Sequence, residues 1–168
     1  MSKMLRLFLF ASSTFFIATM SLAQTAPSGL VILKVIDETA TDGPKVTGFD
    51  LETLEDIGLK QIVTETPWTI GPVTFEGVLL RDLIATVGAG ENAISAKALN
   101  DYSVSIPAED YLSYDVLLAT RRDGEILTVR DKGPIWLIYP WSDNPRLKKQ
   151  LFYSRSIWQL KAITVQSD

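Results

Sequence analysis

The chain has 168 residues and a net charge of −4, and at 46% hydrophobic and 21% charged residues it has the composition of a globular protein. It contains neither Cys nor His, which excludes disulfides, thiolate chemistry, Cys-based metal sites and a Ser-His-Asp triad. The acidic balance argues against nucleic acid as a partner, because phosphate recognition requires a basic face.

The first segment, Met1 to Gln24, has the pattern of a secretory signal peptide. Lys3 and Arg6 form a positive start, an apolar run covers residues 7–20, and small residues precede a predicted cut after Ala23. The apolar run is shorter than the ~20 residues that span a bilayer, which favours cleavage over an uncleaved anchor. We therefore expect a signal peptide at residues 1–23 and a single domain at residues 24–168 that works in the periplasm.

The first half of the mature chain alternates short strand-like and helix-like segments. Strands are predicted where β-branched residues concentrate, at Leu30–Ile36, Gln61–Thr66 and Val73–Phe75. Helices are predicted at Leu51–Ile57, between Asp50 as cap and Gly58, and at Leu79–Val87, where apolar residues follow helical spacing up to Gly88.

The second half is richer in strand patterns. Strands are predicted at Tyr102–Ile106, Ile135–Tyr139 and Ile157–Val165, one helical turn at Ala108–Tyr111, and a hairpin of Val116–Thr120 and Ile126–Val129 around Asp123-Gly124. Alternation in the last strand predicts one buried face, formed by Trp158, Leu160, Ala162 and Thr164. The chain is thus predicted to be an α+β, mainly-β single domain with a few short helices.

The region from Asp131 to Trp158 mixes cations with aromatic residues, which is unusual in an acidic protein. Guanidinium and ammonium groups bind oxyanions, and aromatic rings offer flat faces to planar groups. One interpretation is a pocket for an anionic, ring-bearing ligand. The alternative is that the aromatic residues fill the core and the cations form a solvated face.

Several segments, taken in order, resemble one protein family. They are an aromatic-x-Gly-Val-x-Leu element at Phe75–Ile84, a strand start at Leu99–Tyr102, a hairpin at Val116–Leu127, a Lys132-Gly133-Pro134 element before a strand that ends at Pro140, and a closing strand at Ser156–Val165. Together they resemble the oxidoreductase molybdopterin-binding domain of the sulfite-oxidase-like superfamily, in particular its short, exported, single-domain members. The resemblance implies that family's mixed β/α fold.

The chain departs from the family at the positions that carry its chemistry. In catalytic members a Cys before the aromatic-Gly-Val element binds molybdenum, whereas the corresponding stretch here, Ile62 to Trp68, contains no Cys and places Thr64 or Thr66 near that position. Trp136 replaces the family's Arg, and Ser156-Ile157 replaces the Lys before the closing Trp. The resemblance therefore implies the fold, leaves molybdopterin possible as a cofactor, and argues against molybdenum redox chemistry.

These observations predict a ligand site where Ile135–Tyr139 meets the segment 155–158. Its predicted binding residues are Trp68, Trp136, Tyr139, Arg155 and Ser156, with Arg155 as the donor to an anion. We expect no catalytic residue and no metal ligand. The expected function is that of a non-catalytic or cofactor-poor relative that binds an anionic small molecule or a periplasmic or membrane protein partner. The alternatives are a molybdopterin-dependent oxidoreductase without a Cys ligand and a purely structural interaction module.

Overall fold

The computed structural model describes residues 26–167, so the predicted signal peptide lies outside the described residues. Within them the chain forms two β-sheets and four short α-helices, which confirms the predicted α+β, mainly-β fold class. Across this same range no helix is both long and apolar enough to cross a membrane. Strands and helices are numbered in chain order.

The first sheet has the strand order β2-β1-β10-β5-β6. Its strands are Leu33–Asp37 (β1), Lys45–Phe49 (β2), Ile94–Ala98 (β5), Ser103–Ile106 (β6) and Leu160–Val165 (β10). The pair of β1 and β10 is parallel, and the other neighbours are antiparallel. The last strand of the chain therefore lies in the centre of this sheet.

The second sheet has the order β3-β4-β7-β8, and β9 also pairs with β7. Its strands are Leu59–Thr64 (β3), Val73–Leu79 (β4), Leu117–Arg122 (β7), Glu125–Ile126 (β8) and Trp136–Ile138 (β9). All of these pairs are antiparallel. The hairpin predicted at Asp123-Gly124 is confirmed, because both residues adopt the positive φ (51° and 83°) that the pair accommodates.

The helices connect the strands. They are Leu51–Glu55 (α1), Leu80–Val87 (α2), Ala108–Ser113 (α3) and Gln150–Arg155 (α4), and 3₁₀ turns occur at Val129–Asp131 and Pro145–Leu147. The helical period predicted for α2 is confirmed, because its buried residues are Leu80, Leu83, Ile84 and Val87. Gly88 ends α2 in the left-handed conformation with φ 71°.

A close backbone approach explains the glycine of the aromatic-x-Gly-Val element. At Gly77 strand β4 passes β7 so closely that a Cβ would overlap the carbonyl oxygen of Leu118 and lie 2.7 Å from the Ala119 Cα. The register of the two strands also shifts between Glu76 and Gly77. Only glycine fits this crossing, which joins the two strands that carry much of the core.

Three elements have no clear signal in the sequence, namely β2, β5 and α4. Strand β5 has the sequence Ile-Ser-Ala-Lys-Ala, whose small residues have little β propensity. Helix α4 begins after Lys149, whose side chain makes no capping hydrogen bond. Both β5 and α4 prove important for the site.

The facing predicted for the last strand is wrong. Its buried residues are Leu160, Ile163 and Val165, whereas Ala162 and Thr164 are only partly buried. A bulge between Leu160 and Ala162 inserts one extra residue, which moves the following side chains to the opposite face. Trp158 precedes the strand and is 36% exposed, so it is not part of the core.

Candidate functional site

All four tryptophans of the chain come together around Trp68. The Trp68 ring centroid lies 5.8 Å from Trp136, 6.2 Å from Trp141 and 5.6 Å from Trp158. Tyr153 completes the group at 6.2 Å, mostly in edge-to-face contact. We refer to these five residues as the aromatic cluster. Trp136 and Trp141 are fully buried beneath Trp68, whereas Trp158 reaches the surface.

Hydroxyl groups hold the loop that carries Trp68. The Trp68 N–H donates to Thr66 Oγ1 at 3.1 Å, and the Thr66 N–H donates to Thr69 Oγ1 at 3.3 Å. Thr64 Oγ1 accepts the Ser142 N–H at 3.0 Å, which fastens the end of β3 to the segment after Trp141. Three threonines and a serine thus hold the loop that carries the central ring of the cluster.

A groove of ≈ 380 Å³ opens beside Trp68. Three parts of the fold form its walls, namely the turn between β5 and β6, helix α4 and the segment before β10. Its lining residues are Trp68, Ala98, Asn100, Tyr102, Gln150, Tyr153, Ser154, Ser156, Ile157 and Trp158. None of them is charged, so the groove is aromatic with amide and hydroxyl groups among the rings.

Arg155, the predicted anion donor, is engaged within the protein. Its Nη1 donates to Asp110 Oδ2 at 2.8 Å, and the Tyr139 hydroxyl donates to the same oxygen at 2.7 Å. The side chains of Arg155 and Asp110 are only 15% and 8% exposed. Burial, followed by the charge of Asp110, raises the pKa of Tyr139 far above its usual value, so its hydroxyl stays a neutral donor.

The five predicted site residues divide into two groups. Trp68 and Ser156 line the groove, and the Ser156 hydroxyl donates to the Leu137 carbonyl oxygen. Trp136 lies in the buried part of the aromatic cluster, while Tyr139 and Arg155 meet at Asp110. The last three therefore support the groove from behind instead of lining it.

Sequence reasoning missed a second wall of the groove. That wall consists of Ala98, Asn100 and Tyr102 around the β5–β6 turn, and of residues on α4. The Tyr102 hydroxyl donates to the Ser154 carbonyl oxygen at 3.4 Å, which links the turn to the helix. The resemblance of Leu99–Tyr102 to a family motif is the one sequence signal that points to this wall.

Lys132 approaches the aromatic cluster from outside the groove. Its Nζ lies 3.9 Å from the centroid of the Trp158 ring and 5.3 Å from that of Trp136. Desolvation, assisted by the positive charge of Arg122, lowers the pKa of Lys132 below its usual value. Lys132 has no ion-pair partner within 4.0 Å among residues 26–167.

In the stretch that the resemblance equates with the family's molybdenum-binding segment, Thr64 and Thr66 carry neutral hydroxyls and the exposed Glu65 between them faces Lys148 at 3.8 Å. Thr64 and Thr66 are both buried, and their hydroxyls hold the Trp68 loop. No cluster of three or more potential metal-ligating side chains occurs in the part of the chain that the structure describes. This arrangement can stack rings and exchange hydrogen bonds, but it offers no thiolate, imidazole or carboxylate cage for a metal.

Comparison with known proteins confirms the resemblance seen in the sequence. The family model described as "Oxidoreductase molybdopterin binding domain" matches residues 51–151, well over half of the chain. The match includes Trp68, Trp136 and the start of α4, and it ends before the Ser156–Trp158 side of the groove. No curated protein matches the chain.

Proposed function

We propose that this chain, which belongs to the oxidoreductase molybdopterin-binding domain family, is a non-catalytic member that binds a ring-bearing small molecule. The observation that carries the proposal is the uncharged groove between the β5–β6 turn, α4 and Trp158. Its size falls within the range of roughly 300–1,000 Å³ that is typical of small-molecule sites.

The residues of the chain do not fit a molybdenum cofactor. No thiolate can exist in a chain without Cys, and the hydroxyls of Thr64 and Thr66 are neutral and already hydrogen-bonded. The groove lining also lacks a Lys or Arg that could face a phosphate. We therefore derive no redox step for this site.

The groove lining suits a flat ring with polar edges. Trp68, Tyr102, Tyr153 and Trp158 provide aromatic surfaces for stacking, and such contacts contribute about 0.5–1.5 kcal/mol each beyond area burial. Amide and hydroxyl groups of Asn100, Gln150 and Ser154 can donate and accept hydrogen bonds at the edges of a ligand. Arg155 pairs with Asp110 and does not line the groove. The proposed binding therefore involves no direct ion pair between the ligand and Arg155.

A binding measurement with indole-3-acetamide, a neutral flat probe, tests the proposal. The four Trp indole N–H signals in an NMR spectrum report the site, and we expect those of Trp68 and Trp158 to shift on titration. Replacing Tyr102 with Ala should weaken binding about tenfold, equivalent to about 1.4 kcal/mol. The control Val46→Ala, an exposed position on β2 at the opposite edge of the same sheet, should leave affinity unchanged.

Two results would overturn this function. One is the absence of any shift of the Trp68 and Trp158 signals at millimolar indole-3-acetamide and equally at millimolar pterin. The other is near-stoichiometric molybdenum in the protein purified from its natural compartment, which would support the alternative of a molybdopterin-dependent oxidoreductase.

We also propose that the domain is exported. The positive start, the apolar run and the small residues before Gln24 support cleavage after Ala23. N-terminal sequencing of the periplasmic protein should begin at Gln24. An intact Met1 in the membrane fraction would contradict both the cleavage and the periplasmic location.

A further inference from the structure

Trp158 lines the groove and also contacts the ammonium group of Lys132. The Lys132 ammonium lies 3.9 Å from the ring centroid, yet Lys132 is not a lining residue of the groove, whereas Trp158 is. The ammonium therefore contacts the Trp158 ring from outside the groove. A flat ligand that stacks on the groove side would be separated from the ammonium by the thickness of one indole ring.

The charge of Lys132 is not cancelled locally. Among the described residues no carboxylate approaches it within 4.0 Å, and its nearby charged neighbour Arg122 has the same sign. Of the other cations near the groove, Arg155 pairs with Asp110, whereas Lys97 and Lys161 share the single carboxylate of Asp101. Lys132 is the cation that contacts the Trp158 ring, so its charge is the one that a ligand stacked on that ring experiences most directly.

We propose that Lys132 sets the charge preference of the groove, so that the site favours anionic ring compounds and discriminates against cationic ones. The inference rests on the proposed function and names the ligand class for the same site. Adding a stacking distance of about 3.5 Å to the 3.9 Å of the cation–π contact places a ligand charge about 7 Å from the ammonium. At that distance a unit charge changes affinity by roughly threefold in water-like surroundings, and by more where the groove excludes water.

Three probes that share one ring test the proposal, namely indole-3-acetate, indole-3-acetamide and tryptamine, which are anionic, neutral and cationic at pH 7. Calorimetry on the mature protein should give affinities that decrease from the acetate through the acetamide to tryptamine, with an affinity spread of about tenfold between the first and the last. In Lys132→Met, which keeps the aliphatic length, this affinity spread should contract to about twofold. Lys60→Met, which removes an exposed cation from β3, should retain the wild-type spread.

The outcomes separate the two proposals. If the neutral amide binds and the spread is absent in the wild type or unchanged in Lys132→Met, the role of Lys132 is refuted and the ring site stands. If none of the three probes shifts the Trp68 and Trp158 signals, and pterin does not shift them either, the ring site itself fails, and the charge preference fails with it.

If Lys132→Met does not fold, a salt titration of the wild-type protein replaces it. The preference for acetate over tryptamine should then shrink as ionic strength rises from 0.01 to 1 M, because the Debye length falls from about 30 Å to about 3 Å. A preference that does not change with salt would overturn the proposal.

Discussion

Replacing Arg155 with Ala is expected to destabilise the protein strongly. The change leaves the carboxylate of Asp110, which is 8% exposed, without its cation. Among residues 26–167 the Tyr139 hydroxyl is then its one remaining hydrogen-bond donor. Breaking a buried ion pair from one side costs about 3–5 kcal/mol. Because Arg155 is partly exposed and Tyr139 still donates, we expect about 3 kcal/mol, or a Tm lower by roughly 10 °C for a domain of this size.

Urea unfolding measures this loss, and two further variants isolate its cause. Asp110→Asn keeps the shape and removes the charge, so combining it with Arg155→Met should recover part of the stability, since no uncompensated buried charge remains. The control Arg146→Ala, at an exposed position on the second 3₁₀ turn, should change the free energy of unfolding by less than about 0.5 kcal/mol.

The same variant decides between two roles of Arg155. If it is a positioning residue at the end of α4, stability falls, and any loss of ligand affinity follows from displacement of Tyr153 and Ser154. If Arg155→Ala costs less than about 1 kcal/mol and still abolishes binding of indole-3-acetate, the guanidinium is a direct anion donor. That result would restore the interpretation from sequence and refute the positioning role of Arg155.

Three further predictions concern the fold. Gly77→Ala should lower the free energy of unfolding in urea by about 3 kcal/mol, because the added Cβ would overlap β7. The control Gly90→Ala, whose Cβ would meet only ordinary contacts, should lower it by less than about 0.5 kcal/mol. Equal losses in the two variants would contradict the close approach of β4 and β7. Trp158→Ala should lower the free energy of unfolding by only about 1 kcal/mol, because Trp158 is partly exposed. A loss above about 3 kcal/mol would mean that the side chain is buried. The pKa of Asp50 is lowered to about 2, mainly by the hydrogen bond from the Thr53 side chain, so its stabilisation is present above about pH 4 and is lost as pH falls towards 2. Thermal unfolding should therefore show a Tm advantage of the wild type over Asp50→Asn that shrinks between pH 5 and pH 2, and an advantage that stays constant would contradict it.

The parts of the fold that depend on local sequence could be predicted. Helix α2 follows from the spacing of its apolar residues and from Gly88, and the β7–β8 hairpin follows from Asp123-Gly124, because both signals act within a few residues. The facing of β10 could not be predicted in this way. It depends on a bulge beside β5, and β5 is itself a strand that its own small residues do not indicate.

The site was predictable only in part for the same physical reason. Aromatic residues in segments far apart in sequence could be expected to meet, and Trp68 and Ser156 do line the groove. The partner of Arg155 could not be predicted from the sequence, because Asp110 lies 45 residues away in α3. Asp110 and the adjacent Glu109 lie in the first turn of that helix, where acidic residues are already explained by their interaction with the helix dipole. A cationic residue in a sequence indicates an anion-binding site only where the fold does not pair it with a carboxylate of the same chain.

The replacements that the sequence resemblance implies are consistent with one another. Trp136, where the resemblance implies an Arg, packs edge-to-face on Phe75 at 5.4 Å and is fully buried. Ser156, near the position of a Lys, donates to the Leu137 carbonyl oxygen and is buried. Both changes replace a charge with a neutral group, at the groove wall for Ser156 and behind it for Trp136. Lys132 then acts on a ligand through the Trp158 ring instead of through an ion pair, so a change in ligand charge should alter affinity by factors of a few. Loss of the Trp158 ring removes a stacking contact as well as this charge effect, and should weaken binding by about tenfold or more.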